Sequence, residues 1–150
     1  MIDIKGYVDP VTCTVSYLVV DPKTSAAAVI DPVLDFDFQT AELGTRSADK
    51  ILEELRSQQL DLLWSLETHI HADHLSAADY MRTQTGAKIG ISSRIAEVQG
   101  SFSDLFNLEK VKSLTFNKLG KDLNSKLISS ISEELILNIF SLTNADNTIL

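Results

Sequence analysis

A chain of 150 residues, 44% hydrophobic and 23% charged, has the composition of a folded globular protein. It is long enough for one domain that buries roughly 70% of its unfolded surface, and too apolar to stay disordered as a whole. The net charge of -8 repels phosphate backbones and no basic cluster offsets it, which argues against nucleic acid as a partner. No window holds the roughly 20 apolar residues of a membrane span, and the first residues, Met1-Ile2-Asp3-Ile4-Lys5, lack a long apolar secretory run. The single Cys13 has no partner for an internal disulfide, so a cytoplasmic protein is the expectation.

Tyr7-Val8 and the run from Thr14 to Val20 are rich in β-branched and aromatic residues, and the second stops at the turn signal Asp21-Pro22. Cys13 falls in the β-like stretch Thr12-Cys13-Thr14-Val15-Ser16-Tyr17, which predicts a buried, inert thiol. Ala26 to Ile30 is a third apolar run ending at Asp31-Pro32, so two strands joined as a hairpin are expected. Phe36 to Arg46 has no period and reads as loop. Ala48, Ile51, Leu52 and Leu55 then recur at helical spacing behind Ser47, a residue able to cap, with Asp49 near the positive helix end; a helix over 48–58 follows. Asp61 to Leu66 reads as a strand, Leu75 to Thr83 as a helix stopped by Gly86, and Ala87 to Ile91 as a further strand. This alternation predicts an α/β fold with at least part of its sheet parallel.

Past about residue 110 the composition changes. Residues 1–100 contain no asparagine, four arginines and ten alanines, whereas residues 111–150 contain five asparagines, no arginine and one alanine. Leu119, Leu123, Leu127, Ile131, Leu135 and Ile139 are spaced by four, as in an amphipathic helix, and the last residues read as frayed. The division expected is therefore a folded unit over 1–110 and an atypical tail over 111–150, helical or poorly ordered.

All three histidines lie within six residues, in Thr68-His69-Ile70-His71-Ala72-Asp73-His74. In an extended segment His69 and His71 share a face while Ile70 turns to the core, and Asp73 and His74, in a turn entering a helix, can aim at a second position a few ångströms away. Imidazole and carboxylate are ligands suited to zinc and iron. The plainer alternatives are that Asp73 caps the helix beginning near Leu75, and that each histidine is an ordinary hydrogen-bonded side chain.

The run Glu67 to Ala78, with its His-x-His-x-Asp-His core, resembles the signature loop of the metallo-β-lactamase superfamily. With Val29 to Asp37 and Tyr80-Met81-Arg82 it resembles the persulfide dioxygenase branch, which oxidises glutathione persulfide with O2 at a mononuclear iron. That resemblance implies the N-terminal half of an αββα sandwich, Fe(II) as cofactor and glutathione persulfide as the small-molecule substrate. His71 matches the histidine that binds iron, while His69, Asp73 and His74 match positions that bind metal in the two-zinc hydroxyacylglutathione hydrolases, the alternative thioester-cleaving reading. Asp31 is read as capping the turn at Pro32, with support of the site as its other role. The family's later Thr-Pro-Gly-His-like turn and Gly-Asp step have no counterpart here. A frameshifted or truncated chain is therefore expected, with one apolar sheet face left open, and a non-catalytic or homo-oligomeric fragment is the third reading.

Overall fold

The computed structural model describes residues 1–92, 94–106 and 117–119. Its main sheet has six strands in the order β1 (Asp3–Val8), β2 (Val15–Asp21), β3 (Ala26–Ile30), β6 (Asp61–Glu67), β8 (Lys88–Ser92) and β9 (Asn117–Leu119). The first three strands form an antiparallel meander, and β3, β6, β8 and β9 run parallel. Helix α1 (Arg46–Ser57) leads into β6, and α2 (Ala78–Thr85) links β6 to β8, while α3 (Ile95–Phe106) follows β8. A small second sheet joins β4 (Val33–Phe36) to β5 (Leu43–Gly44) on one side and β7 (Leu75–Ser76) on the other.

The alternation of side chains along each strand sorts the core onto the two faces of the sheet. Leu18, Val20, Ala27, Val29 and Leu62 pack with Ala48, Ile51, Leu52 and Leu55 of α1 and with Met81 of α2, so both helices lie on one face. Val19, Ala28, Ile30, Trp64 and Leu66 form a second cluster. These residues are buried too, which corrects the expectation of an open apolar face. No helix among the described residues is long and apolar enough to cross a membrane.

Several sequence expectations need correction. Strand β1 begins at Asp3, earlier than Tyr7. Helix α1 begins at Arg46, and Ser47 does not cap it; the Ser47 hydroxyl instead donates to Asp35 (2.8 Å) and Asp9 (3.3 Å), tying α1 to strand β4 and to the β1–β2 turn. Leu75–Ser76 pairs with β4 as a strand, so α2 starts only at Ala78. Part of the presumed loop 36–46 is strand β5. Cys13 is exposed in the β1–β2 turn at φ 61°, outside both strands. Gly86 does end α2, in the left-handed conformation at φ 79°. Of the helix expected from Leu119 to Ile139, only Leu119 is described, and it lies in β9; the rest, like the frayed end, falls outside the described residues.

The β1–β2 turn is held by one carboxylate. Asp9 accepts from the Val11 and Thr12 amides (3.2 and 2.7 Å) and from the Thr12 hydroxyl (2.7 Å). Burial would raise its pKa, but the donors of Thr12, Ser47 and Val11 outweigh this and hold it below the usual value. An aspartate with a depressed native pKa stabilises the fold above its unfolded pKa of about 3.9 and loses that contribution as pH falls through the native value. Asp9→Ala is therefore expected to cost about 1–3 kcal/mol at neutral pH. Urea melts of the wild type and variant should converge toward pH 3, and a constant gap would rule the account out.

Candidate metal centre

The histidine loop leaves the C-terminal end of β6, between its parallel neighbours β3 and β8. From the end of β3, Asp31 turns back toward the loop in the left-handed conformation at φ 48°, a region that costs an L-residue roughly 1–2 kcal/mol. Both backbone groups of Asp31 are engaged: its N–H donates to the Leu66 carbonyl (2.8 Å), and its carbonyl accepts from the Ser16 hydroxyl (2.8 Å). Its side chain accepts the Thr68 amide (2.8 Å), the Thr68 hydroxyl (2.7 Å) and His71 Nε2 (2.9 Å). Asp31 is thus the anchor of the loop, and capping the Pro32 turn is not the work of its carboxylate.

This bonding assigns the imidazole tautomers. The Thr68 hydroxyl proton is directed to Asp31, so His69 Nδ1, 2.7 Å from that oxygen, is the donor and Nε2 keeps its lone pair. His71 donates from Nε2 to Asp31, so Nδ1 is the nitrogen left for an ion, which would take the place of a proton there. The buried Glu67 carboxylate also approaches His71 Nε2, at 3.0 Å, but without the alignment of a hydrogen bond, because the single N–H points to Asp31. The other Glu67 oxygen accepts from the Ser76 hydroxyl, fastening the end of β6 to β7.

His69 and His71 rings, and His71 and His74 rings, each lie 4.1 Å apart between centroids. Asp73 Oδ1 stands 3.5 Å from His71 Nδ1 and 3.4 Å from His74 Nδ1. Two sets, Asp31-His69-His71 and His71-Asp73-His74, each bring three donor atoms within 4.8 Å of one another, close enough to hold an ion. Asp31 has already spent its oxygens on three donors, so its place in the first set is that of an anchor.

The His74 side chain is only 1% exposed, yet neither of its nitrogens has a hydrogen-bond partner, and His71 Nδ1, in a side chain 6% exposed, has none either. A buried polar atom without a partner costs about 1–3 kcal/mol. Bare nitrogens aimed at one carboxylate fit an ion as the intended partner. Burial, followed by the nearby His71 charge, lowers the His74 pKa and favours the neutral, ligating form. Burial also opposes protonation of His71, but the hydrogen bond to Asp31, the contact with Glu67 and both carboxylate charges carry its pKa up to about 10. The same field favours a divalent cation.

Of the four residues proposed from sequence, His71, Asp73 and His74 fall in one three-donor set and His69 joins His71 and Asp31 in the other. Two details differ: Ile70 is partly exposed and does not enter the core, and Asp73 caps no helix, since α2 begins five residues later. Glu67 was visible only as part of the motif. What could have flagged it is a carboxylate at the end of an otherwise apolar strand, four residues before a histidine. Asp31→Asn, which keeps the shape but removes the charge behind His71, is expected to weaken ion binding about 10–100-fold. Isothermal titration with zinc measures this, and an unchanged affinity would exclude the anchoring role.

Residues 10–135 match the metallo-beta-lactamase superfamily, and the chain belongs to that family. A "Beta-lactamase hydrolase-like protein" of Agrobacterium fabrum is 44% identical over 109 residues, covering 73% of this chain and 25% of the relative. "Persulfide dioxygenase ETHE1, mitochondrial" of Homo sapiens is 31% identical over 110 residues, covering 73% of this chain and 37% of that protein; the likeness to the persulfide dioxygenase branch is thus found as well. The BLEG-1 B3 metallo-beta-lactamase structure superposes with a TM-score of 0.52 at 18% identity, over 80% of this chain and 54% of that one. This chain accordingly corresponds to the N-terminal part of the fold, and spans between a quarter and little over a third of these two sequence relatives.

Proposed function

We propose that His69, His71, Asp73 and His74 form the histidine-rich half of a metal centre, and that the centre is the iron site of a persulfide dioxygenase. The observation that supports a metal centre is the partnerless buried pair, His71 Nδ1 and His74, facing Asp73; the choice of iron rests on the likeness to the persulfide dioxygenase branch. The net reaction converts glutathione persulfide, O2 and water to glutathione and sulfite, the terminal sulfur being oxidised while O2 is reduced. When bound, Fe(II) would supply open positions for O2 and the substrate sulfur. The chain's own part is to orient the ligands: Asp31 keeps the proton of His71 on Nε2, and Thr68 fixes the ring of His69.

A second reading, zinc-assisted cleavage of a thioester by an activated water, is favoured by relatives named as hydrolases, among them a "Probable metallo-hydrolase" of Burkholderia pseudomallei at 43% identity over 104 residues. Quantifying iron and zinc on mass-verified protein, together with oxygen uptake on adding glutathione persulfide, tests the proposal. Iron with persulfide-dependent uptake is the expected result. Two zincs with thioester cleavage would replace the first reading by the second, and protein that binds neither metal would remove both.

A further inference from the structure

We propose that Ser76 is a positioning residue for the metal centre: its hydroxyl holds Glu67 against His71, and Glu67 in turn keeps the His71 ring turned with Nδ1 toward Asp73. This rests on the loop being the metal centre.

Ser76 is itself pinned. It pairs with Val33 across β7 and β4, and the next residue, Ala77, donates its N–H to the Pro32 carbonyl (2.7 Å). The Ser76 hydroxyl oxygen accepts the Ala78 amide (3.0 Å) at the start of α2, while its proton goes to Glu67 Oε1. A hydroxyl has one proton to give, so the bond to Glu67 takes all of its donor capacity.

Glu67 depends on that proton. Its side chain is 6% exposed, and among the described residues the Ser76 hydroxyl is the one hydrogen-bond donor to its carboxylate. The other oxygen, Oε2, is buried without a hydrogen-bond partner, 3.0 Å from His71 Nε2. Ser76 thus aims the carboxylate at the imidazole, as one member of a buried polar network orients the next.

On the ring, Asp31 Oδ1 and Glu67 Oε2 both stand at Nε2, at 2.9 and 3.0 Å, so turning the imidazole over would set a ring carbon against two carboxylates. The other nitrogen, Nδ1, is thereby kept 3.5 Å from Asp73 Oδ1. Ser76 is exposed, and replacing an exposed residue ordinarily changes little. An effect of Ser76 on ion binding would therefore travel through Glu67.

The test combines zinc titration of the full chain with proton NMR of the metal-free protein. Ser76→Ala should weaken zinc about tenfold, the lower end of the loss on removing a supporting partner, and Ser76→Thr, which keeps the hydroxyl, should bind as the wild type does. In a Glu67→Ala background, Ser76→Ala should cost nothing more. Full zinc affinity in Ser76→Ala, equal weakening in Ser76→Thr, or independent losses in the double variant would each overturn the proposal. Without metal, the His71 Nε2–H proton should exchange with water faster in Ser76→Ala and at the wild-type rate in Ser76→Thr. Zinc binding with this proton unmoved by Ser76→Ala would defeat the positioning role alone. A Ser76-dependent proton in protein that takes up no zinc would defeat the metal reading and leave the hold on His71 standing.

Discussion

His71→Ala is expected to abolish stoichiometric metal binding and to destabilise the fold. His71 is common to both three-donor sets, so its loss leaves no complete set, and affinity should fall by more than the roughly 10–100-fold seen on removing a supporting partner. The imidazole also separates two carboxylates, at 2.9 Å from Asp31 and 3.0 Å from Glu67. Removing one side of a buried charge pair costs about 3–5 kcal/mol, because the remaining charge keeps its desolvation penalty. Metal analysis and urea denaturation should report both losses. Adding Glu67→Gln to His71→Ala should restore part of the stability and none of the metal, whereas wild-type stability in the single variant would show that the carboxylates do not depend on His71.

The second large effect is expected in the helix-covered core. Leu52 of α1 is 1% exposed and packs among the residues that join α1 and α2 to the sheet. Leu52→Ala removes buried methyl groups and leaves a cavity, for a cost of about 2–5 kcal/mol. In a domain of this size that corresponds to a fall in Tm of at least about 4 °C. Calorimetry checks it, and a shift below a degree would mean that the site collapses around the smaller side chain.

The parts of this structure that could be read in the sequence are those governed by short-range patterns. The apolar run in β3, the helical spacing of Ala48, Ile51, Leu52 and Leu55, and the αL stop at Gly86 all depend on neighbours within a turn or a strand. The histidine cluster is readable because its members are adjacent; the structure divides them between two three-donor sets that share His71. What stayed hidden depends on partners far along the chain. Ser47 looked like a cap because helix starts favour serine, but Asp35 and Asp9 claim its hydroxyl. Asp31 looked like a turn residue because Asp-Pro signals one, yet its carboxylate belongs to Thr68 and His71. Strands β5 and β7, two residues each, are too short to show a period at all. Cys13 is exposed because a left-handed turn interrupts the run of β-formers, and such a run carries no signal of that turn.

The bonds that fix the histidine rings span 37 positions, from Asp31 to Thr68, and 40, from Asp31 to His71. Contacts this remote in the chain require β3 and β6 to have aligned first, a slow event relative to local helix or hairpin formation. An ion meeting the unfolded polypeptide finds only three flexible imidazoles and Asp73, without the Asp31 brace that orients His71. Metal capture is thus a late reward of folding rather than its template, and strand alignment comes before loading.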